Sequence, residues 1–411
     1  MSPDRLALEN LLRKQHGQGV SRRGFLRGAS LAALAVGAPA LLSACGIEAA
    51  RQTEASCQTE DKSGTEKTLF ISNWPLYIDQ ERVKVGGQKK TVIPSLEKFQ
   101  DEAGITVEYT TDFNDNNEFF GIVRNQLAAC EPTGRDIIVP TDWMAARMVN
   151  LGWIQELDKT KLPNVEANLI ESLRSPGWDP KRDHSVPWQS GLTGIAYNAD
   201  LTGEVSSFEE LLTRSDLKGK VTLLSEMHDT MLFMLLVTGA DPEDFTDDQY
   251  ATAIDRLGEV VDAGQIRAFT GNDYAQDLVE GNVVACEAWS GDVFQLQADN
   301  PNIKFVPPDE GLALWSDNML VPNQGLHKAN AEEWMNFYYQ PEIAAMVASW
   351  VNYICPVEGA KEAMEKIDPS LVDSPLIFPE ADLLSNTHDF MGLDSKTEQK
   401  YQRMFADVIG A

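Results

Sequence analysis

The chain has 411 residues, with 63 acidic against 34 basic side chains and a formal charge of −29. That length exceeds one ordinary core and predicts two lobes. The charge argues against nucleic acid and anionic ligands, which it repels, and favours cations by long-range attraction. The five histidines include no i, i+3 or i+4 pair and the five cysteines no C-x-x-C spacing, so neither a zinc centre nor a disulfide-dense scaffold is expected. No metal and no cofactor enters the reading. A disulfide among Cys57, Cys130, Cys286 and Cys355 stays open.

The N-terminus reads as an export signal. Ser21-Arg22-Arg23-Gly24-Phe25-Leu26-Arg27 precedes an apolar run, Leu31–Leu42, and then Ser43-Ala44-Cys45-Gly46. A twin arginine, a short apolar segment and small residues before a cysteine describe a twin-arginine signal ending in a lipoprotein cleavage site. The run is too short and too rich in Ala, Gly and Pro for a comfortable transmembrane helix. Cleavage would leave Cys45 as a lipidated N-terminus, with the mature protein outside the cytoplasmic membrane and tethered to it. Residues 1–44 hold six basic and two acidic residues, which leaves −33 for the rest. Residues 45–66 are small and polar and are expected to be a flexible tether.

Order is predicted to begin at the β-rich Thr68-Leu69-Phe70-Ile71. Ile93-Pro94-Ser95-Leu96-Glu97-Lys98-Phe99 has helical spacing with an early proline, and Gly104 stops it. Ile105, Val107 and Tyr109 alternate as a half-buried strand. Phe119, Phe120, Val123 and Leu127 return to helical spacing, and Asp136-Ile137-Ile138-Val139-Pro140 is a short buried strand. Strand, helix, strand, helix, strand is an α/β series with a largely parallel sheet. The alternation resumes at 194–198, 220–224 and 282–288, which predicts a second α/β lobe. The expected division is 67–189 with 319–352 in the first lobe, and 190–318 with 353–411 in the second.

In α/β sheets, ligand groups gather at the carboxyl ends of strands. Here those ends read Asn73-Trp74-Pro75-Leu76-Tyr77, Pro140-Thr141-Asp142-Trp143, Ser225-Glu226-Met227-His228-Asp229-Thr230, Trp289-Ser290-Gly291-Asp292, Trp315-Ser316-Asp317-Asn318 and Asn352-Tyr353. Five of the six pair a large aromatic with a carboxylate or hydroxyl, and the other has two carboxylates three apart. That combination suits an extended organic cation. Aromatic faces sandwich methylenes and attract ammonium by about 0.5–2 kcal/mol each, and carboxylates take the ammonium ends in charge-assisted hydrogen bonds. Each element alone has a plainer reading: tryptophans as core, and Glu226 and Asp229 as first-turn acids favoured by a helix dipole. The recurrence at strand ends carries the functional one.

The segments Asn73-Trp74-x-x-Tyr77-Ile78, Asp136-x-x-Val139-Pro140-Thr141, Gly191-x-x-Gly194-Ile195-Ala196-Tyr197-Asn198, Gly219-Lys220-Val221-x-Leu223-Leu224 and Trp315-x-Asp317-x-x-x-Val321-Pro322 resemble the spermidine/putrescine receptors of ABC importers. The resemblance runs in order over most of residues 68–409. It implies a type II periplasmic-binding-protein-like fold of two lobes joined by three hinge crossings, near Pro187–Leu192, Trp315–Val321 and Trp350–Tyr353. It implies further that Trp74 and Tyr77 wall the cleft and that Thr141 and Trp143 line it near one ligand end. Glu226 and Asp229 would be an acidic pair from the second lobe, Trp289 the stacking aromatic, Asp317 the carboxylate beside Trp315, and Tyr353 a further wall. Asp292 resembles the putrescine-selective branch. Leu76 stands where many family members carry an acid, Glu81–Lys90 looks like an insertion, and Asn386–Phe390 matches poorly where a ligand-end residue is expected.

The function implied is an extracytoplasmic polyamine receptor, monomeric and non-enzymatic, that delivers putrescine or spermidine to ABC permease subunits. Two other readings stay open. The same fold could take another amine, an opine or a sugar, although sugar sites mix amides and Arg where these positions offer Asp and Glu. A secreted hydrolase could use Glu226 and Asp317 as acid and base, but no nucleophile elbow or metal pair accompanies them.

Overall fold

A computed structural model describes residues 57, 59–85, 88–384 and 386–410. The export signal and Cys45 lie outside the described residues, as do residues 46–56 and 58 of the tether. The strands in chain order are β1 (Thr68–Asn73), β2 (Glu81–Val85), β3 (Gln88–Val92), β4 (Thr106–Thr111), β5 (Ile137–Ile138), β6 (Ser185–Asn198), β7 (Val221–Leu224), β8 (Ile266–Thr270), β9 (Ala285–Trp289), β10 (Ile303–Val306), β11 (Leu312–Leu320) and β12 (Thr387–His388).

The expected βαβ series forms. Pro94 opens the helix Pro94–Ala103, where its missing N–H leaves no helical bond unmade, and Gly104 closes it in the left-handed conformation at φ 67°. β4 returns parallel to β1 in the register Thr68↔Thr106, and β5 lies on β1's other side with Ile71↔Ile137. Asp115 caps the next helix, Asn116–Ala129, by accepting the Glu118 amide. β8, β7 and β9 form a second parallel arm.

Two long antiparallel strands, β6 and β11, join the arms in the order β4-β1-β5-β11-β6-β9-β7-β8. They pair from Ser185↔Leu320 to Thr193↔Ala313, with a register shift opposite Asp317/Asn318, where Trp188 is an extra residue on β6. A third crossing lies beside them: Ser190 and Ile354 exchange backbone hydrogen bonds of 3.1 and 2.8 Å. The three segments expected as hinges therefore meet in the middle of the molecule. A large apolar core fills the first lobe and continues through Trp289 and Val293 into the second, while a smaller one sits under β7 and the helices Met227–Val237 and Asp247–Asp262.

One expectation needs amending, and two open points gain a structure. Residues 59–66 are not a free tether. The Lys62 amide donates to Leu326 O at 2.7 Å, Ser63 Oγ accepts from the Asn330 amide at 3.1 Å, and Glu66 meets His327 Nε2 at 3.0 Å. Ser63 is the one buried residue of this stretch, and most of the others stay exposed. Cys57 and Cys130 form a disulfide, while Cys286 and Cys355 are buried and reduced. The segment read as an insertion is an antiparallel hairpin, β2–β3, whose exposed strands pair only with each other.

Candidate ligand-binding cleft

The cleft opens where strands end and helices begin. Trp74 and Tyr77 follow β1. Thr141 follows β5 and is the N-cap of the helix Asp142–Asn150. Glu226 is the N-cap of Met227–Val237, with Asp229 in its first turn, and Trp289 ends β9 as the N-cap of Ser290–Asp299, with Asp292 in its first turn. Trp315 and Asp317 come from β11, and Tyr353 from the third crossing. Glu226 and Asp229 sit where a helix dipole favours acids, and they also face the cavity.

That cavity is lined by Trp74, Pro75, Tyr77, Asn116, Thr141, Glu226, Asp229, Asn272, Trp289, Asp292, Trp315, Asp317 and Tyr353. Ten of the eleven expected ligand contacts are brought together. Trp143 is the one that is not: its ring stacks on His228 at 4.4 Å and 23°, and it does not line the cleft. Asn386–Phe390 is also elsewhere. Thr387 and His388 pair with β11, and Phe390 packs on His228. Leu76 is 47% exposed at φ 54°, and its carbonyl takes Gln295 Nε2 at 3.3 Å, so the acid-to-leucine change leaves no carboxylate at that corner.

The walls are rings held by other rings and by hydrogen bonds. Trp74 donates its indole N–H to Val139 O at 2.8 Å and meets Trp289 edge-on at 6.0 Å. Tyr353 stands edge-on to Tyr77 at 5.1 Å and tilted to Trp315 at 5.5 Å. Trp315 lies over Gly191, where a Cβ would come within 2.3 Å of the indole. That contact gives the glycine of the Gly191-x-x-Gly194 segment its physical reason.

The carboxylates are anchored by donors yet carry no basic partner among the lining residues. Asp317 accepts Thr141 Oγ1 at 2.7 Å. Burial pushes its carboxyl up to about 7, against the opposing pull of Thr141 and Tyr77. The Tyr77 hydroxyl lies buried beside it with no hydrogen bond of ordinary geometry. Asp292 accepts Tyr353 Oη and Tyr274 Oη at 2.9 Å each and Asn272 Nδ2 at 2.8 Å, and burial raises its pKa despite these donors. Asp229 accepts the Thr193 hydroxyl, which in turn accepts Trp315 Nε1 at 3.0 Å. Burial raises Asp229, with Thr193, His228 and Trp289 opposing. Glu226 is pushed well up by burial and by the nearby Asp115, and its Oε2 is buried without a partner. A cation entering such a site supplies the counter-charge that burial removed.

Sequence reasoning missed Asn116 and Asn272. Asn116 Nδ2 donates to Thr141 Oγ1 at 2.9 Å and Asn116 Oδ1 accepts the Thr141 amide at 3.1 Å, which fixes the hydroxyl that serves Asp317. The only signal was Asp115-Asn116 as a helix start. Glu287 on β9 is buried behind Asp229 and bound by the Leu224 amide and Thr230 Oγ1 at 2.9 and 2.7 Å.

Two α/β lobes, three crossings and a closed-over polar and aromatic cleft define an extracytoplasmic solute receptor of the type II periplasmic binding class. The chain belongs to the bacterial extracellular solute-binding protein family, whose profile matches residues 95–378. It is 28% identical over 364 residues to a putrescine-binding periplasmic protein of Escherichia coli, covering 84% of this chain and 91% of the relative. To a spermidine/putrescine-binding periplasmic protein of the same organism it is 26% identical over 344 residues, covering 82% and 92%. The fold is similar to that of a spermidine/putrescine ABC transporter substrate-binding protein from Streptococcus pneumoniae, with a TM-score of 0.65 at 24% identity over 84% of this chain and 98% of that one. No helix among the described residues is long and apolar enough to cross a membrane.

Proposed function

We propose that this protein captures a linear polyamine, putrescine or spermidine, between its lobes and hands it to an ABC permease. The observation that carries the reading is four carboxylates, Glu226 and Asp317 buried and Asp229 and Asp292 half-buried, facing one aromatic-walled cavity with no Lys or Arg among its lining residues. A neutral ligand would leave that buried acid uncompensated, and an anion would worsen it. Ammonium groups would take the carboxylates, and the methylenes between them would lie against Trp74, Trp289, Trp315 and Tyr353. The relatives named for putrescine and spermidine support the same ligand class. No bond in the ligand is broken. Closure is a population shift, because a ligand that contacts both lobes binds the closed form better.

The reading extends to the N-terminus. Arg22-Arg23 would direct export by the twin-arginine route, and Cys45 would carry lipid after cleavage, so that the receptor works at the membrane as a monomer. Replacing Cys45 by Ala should release the protein from membranes, and replacing both arginines by Lys should block export. Membrane attachment of Cys45→Ala would overturn the anchor.

A thermal-shift screen of the purified protein tests the ligand class. Putrescine or spermidine should raise the melting temperature where neutral sugars and amino acids do not, since a ligand at a hundredfold its Kd adds about 2.7 kcal/mol to apparent stability. A shift with a sugar and none with any diamine would refute the proposal.

A further inference from the structure

Trp143 lies outside the cleft, yet its ring meets a side chain of the other lobe. It belongs to the first-lobe helix Asp142–Asn150, whose Met144, Ala145 and Met148 are buried in the first core. His228 belongs to the first turn of the second-lobe helix Met227–Val237. Their rings stack at 4.4 Å and 23°. His228 is held from behind by the Phe390 ring at 4.6 Å and by Glu398 Oε2, 3.4 Å from its Nε2. Glu398 in turn accepts Gln402 Nε2 at 3.1 Å, and Gln402 Oε1 reaches back across to Asn117 of the first lobe at 3.4 Å. None of these residues lines the cavity.

A ring pair that exists only when the lobes are together stabilises the closed form alone. The apparent affinity of a receptor scales with the fraction of molecules able to reach that form. We infer that Trp143 and His228 form an interlobe latch that sets ligand affinity without touching the ligand. The position is a positioning residue of the closure step, not a ligand contact. The inference rests on the two-lobed receptor reading and not on which solute is bound.

The test compares wild type, Trp143→Ala and Trp143→Phe in putrescine titrations, dissociation rates and melting temperature without ligand. In parallel, spin labels at Ile122→Cys and Leu201→Cys, exposed positions on opposite lobes, read the interlobe distance with no ligand added. Trp143→Ala should weaken binding about three- to tenfold, mostly through faster dissociation, and lower the short-distance population. Its unliganded melting temperature should stay near wild type, and Trp143→Phe should restore most of the affinity. Unchanged affinity in Trp143→Ala, or a short-distance population that does not fall, would overturn the latch. Failure of wild type to bind putrescine would count against the polyamine reading, and the distance measurement would still judge the latch.

Discussion

Asn116 and Glu226 lie 110 positions apart and on opposite lobes, and they are joined twice. The Asn116 backbone amide donates to Glu226 Oε1 at 2.7 Å, and its side-chain Nδ2 donates to the same oxygen at 3.1 Å. Ser225 Oγ reaches Asp115 Oδ2 at 3.1 Å beside them. The helix start at 115–116 therefore docks on the helix start at 225–226, and the same Asn116 side chain orients Thr141 for Asp317. Protein groups alone make these contacts between the two helix starts.

The seam at that end of the cleft is tight. A Cβ on Gly271 of the second lobe would fall 2.5 Å from the Asn114 carbonyl of the first. Gly271→Ala should hold the lobes apart and weaken ligand binding by about tenfold or more, with little loss of unliganded stability because opening relieves the clash. Calorimetric titration together with a melting curve checks both parts.

Asp317→Asn keeps shape and removes charge. Polyamine binding should weaken by about 2–4 kcal/mol, a thirtyfold to thousandfold change. Without ligand the sign reverses. Because burial pushes the Asp317 carboxyl up to about 7 in the fold, against about 3.9 when unfolded, its contribution is fully present below pH 4 and is lost as pH rises through 7. The unliganded variant should thus match or exceed wild type in melting temperature at pH 8 and show no such advantage at pH 4.

The same group links binding to protons. An ammonium beside Asp317 favours its ionised form, so ligand binding near pH 6–7 should release a proton. Affinity should climb as pH rises through about 7. Calorimetry in two buffers of different ionisation heat measures the release directly, and Asp317→Asn should diminish it.

Cys57 and Cys130 are 73 positions apart, and Cys130 caps the helix that starts at Asn116. Converting both to Ser should cost about 2–4 kcal/mol of stability by freeing the unfolded chain. Affinity should change little, since the bond sits at the far end of that helix from the cleft. Denaturant melts and a putrescine titration on the double variant separate the two effects.

Much of this molecule is written in local pattern. Leu96 and Phe99 at helical spacing, Pro94 before them and Gly104 after them mark a helix that tertiary packing only confirms. The rule that ligands meet strand carboxyl ends brings Trp74 and Trp289 to the cavity wall, because β1 and β9 end there, whereas Asp317 reaches it from the middle of β11. The rule fails at Trp143 for a geometric reason. After Thr141 the backbone turns helical, and two residues along a helix rotate the side chain by about 200°, away from the face that Thr141 presents. Asn116 and Asn272 carry no periodic or compositional signal, and their role arises only when the lobes close. Nor does spacing single out Cys130 as the partner of Cys57. That pairing depends on residues 59–66 running back along the first lobe, through contacts with Leu326 and Asn330 that lie far along the chain.

The most direct measurement is calorimetric titration of the purified protein at pH 7.5 with putrescine, spermidine, a neutral sugar and a free amino acid, repeated on Asp317→Asn. The expected result is saturable binding of a polyamine, weakened at least thirtyfold in the variant, with no heat from the sugar. Saturable sugar or amino-acid binding with none for either polyamine, or a polyamine affinity indifferent to Asp317→Asn, would contradict a cation held by the buried carboxylates of this cleft.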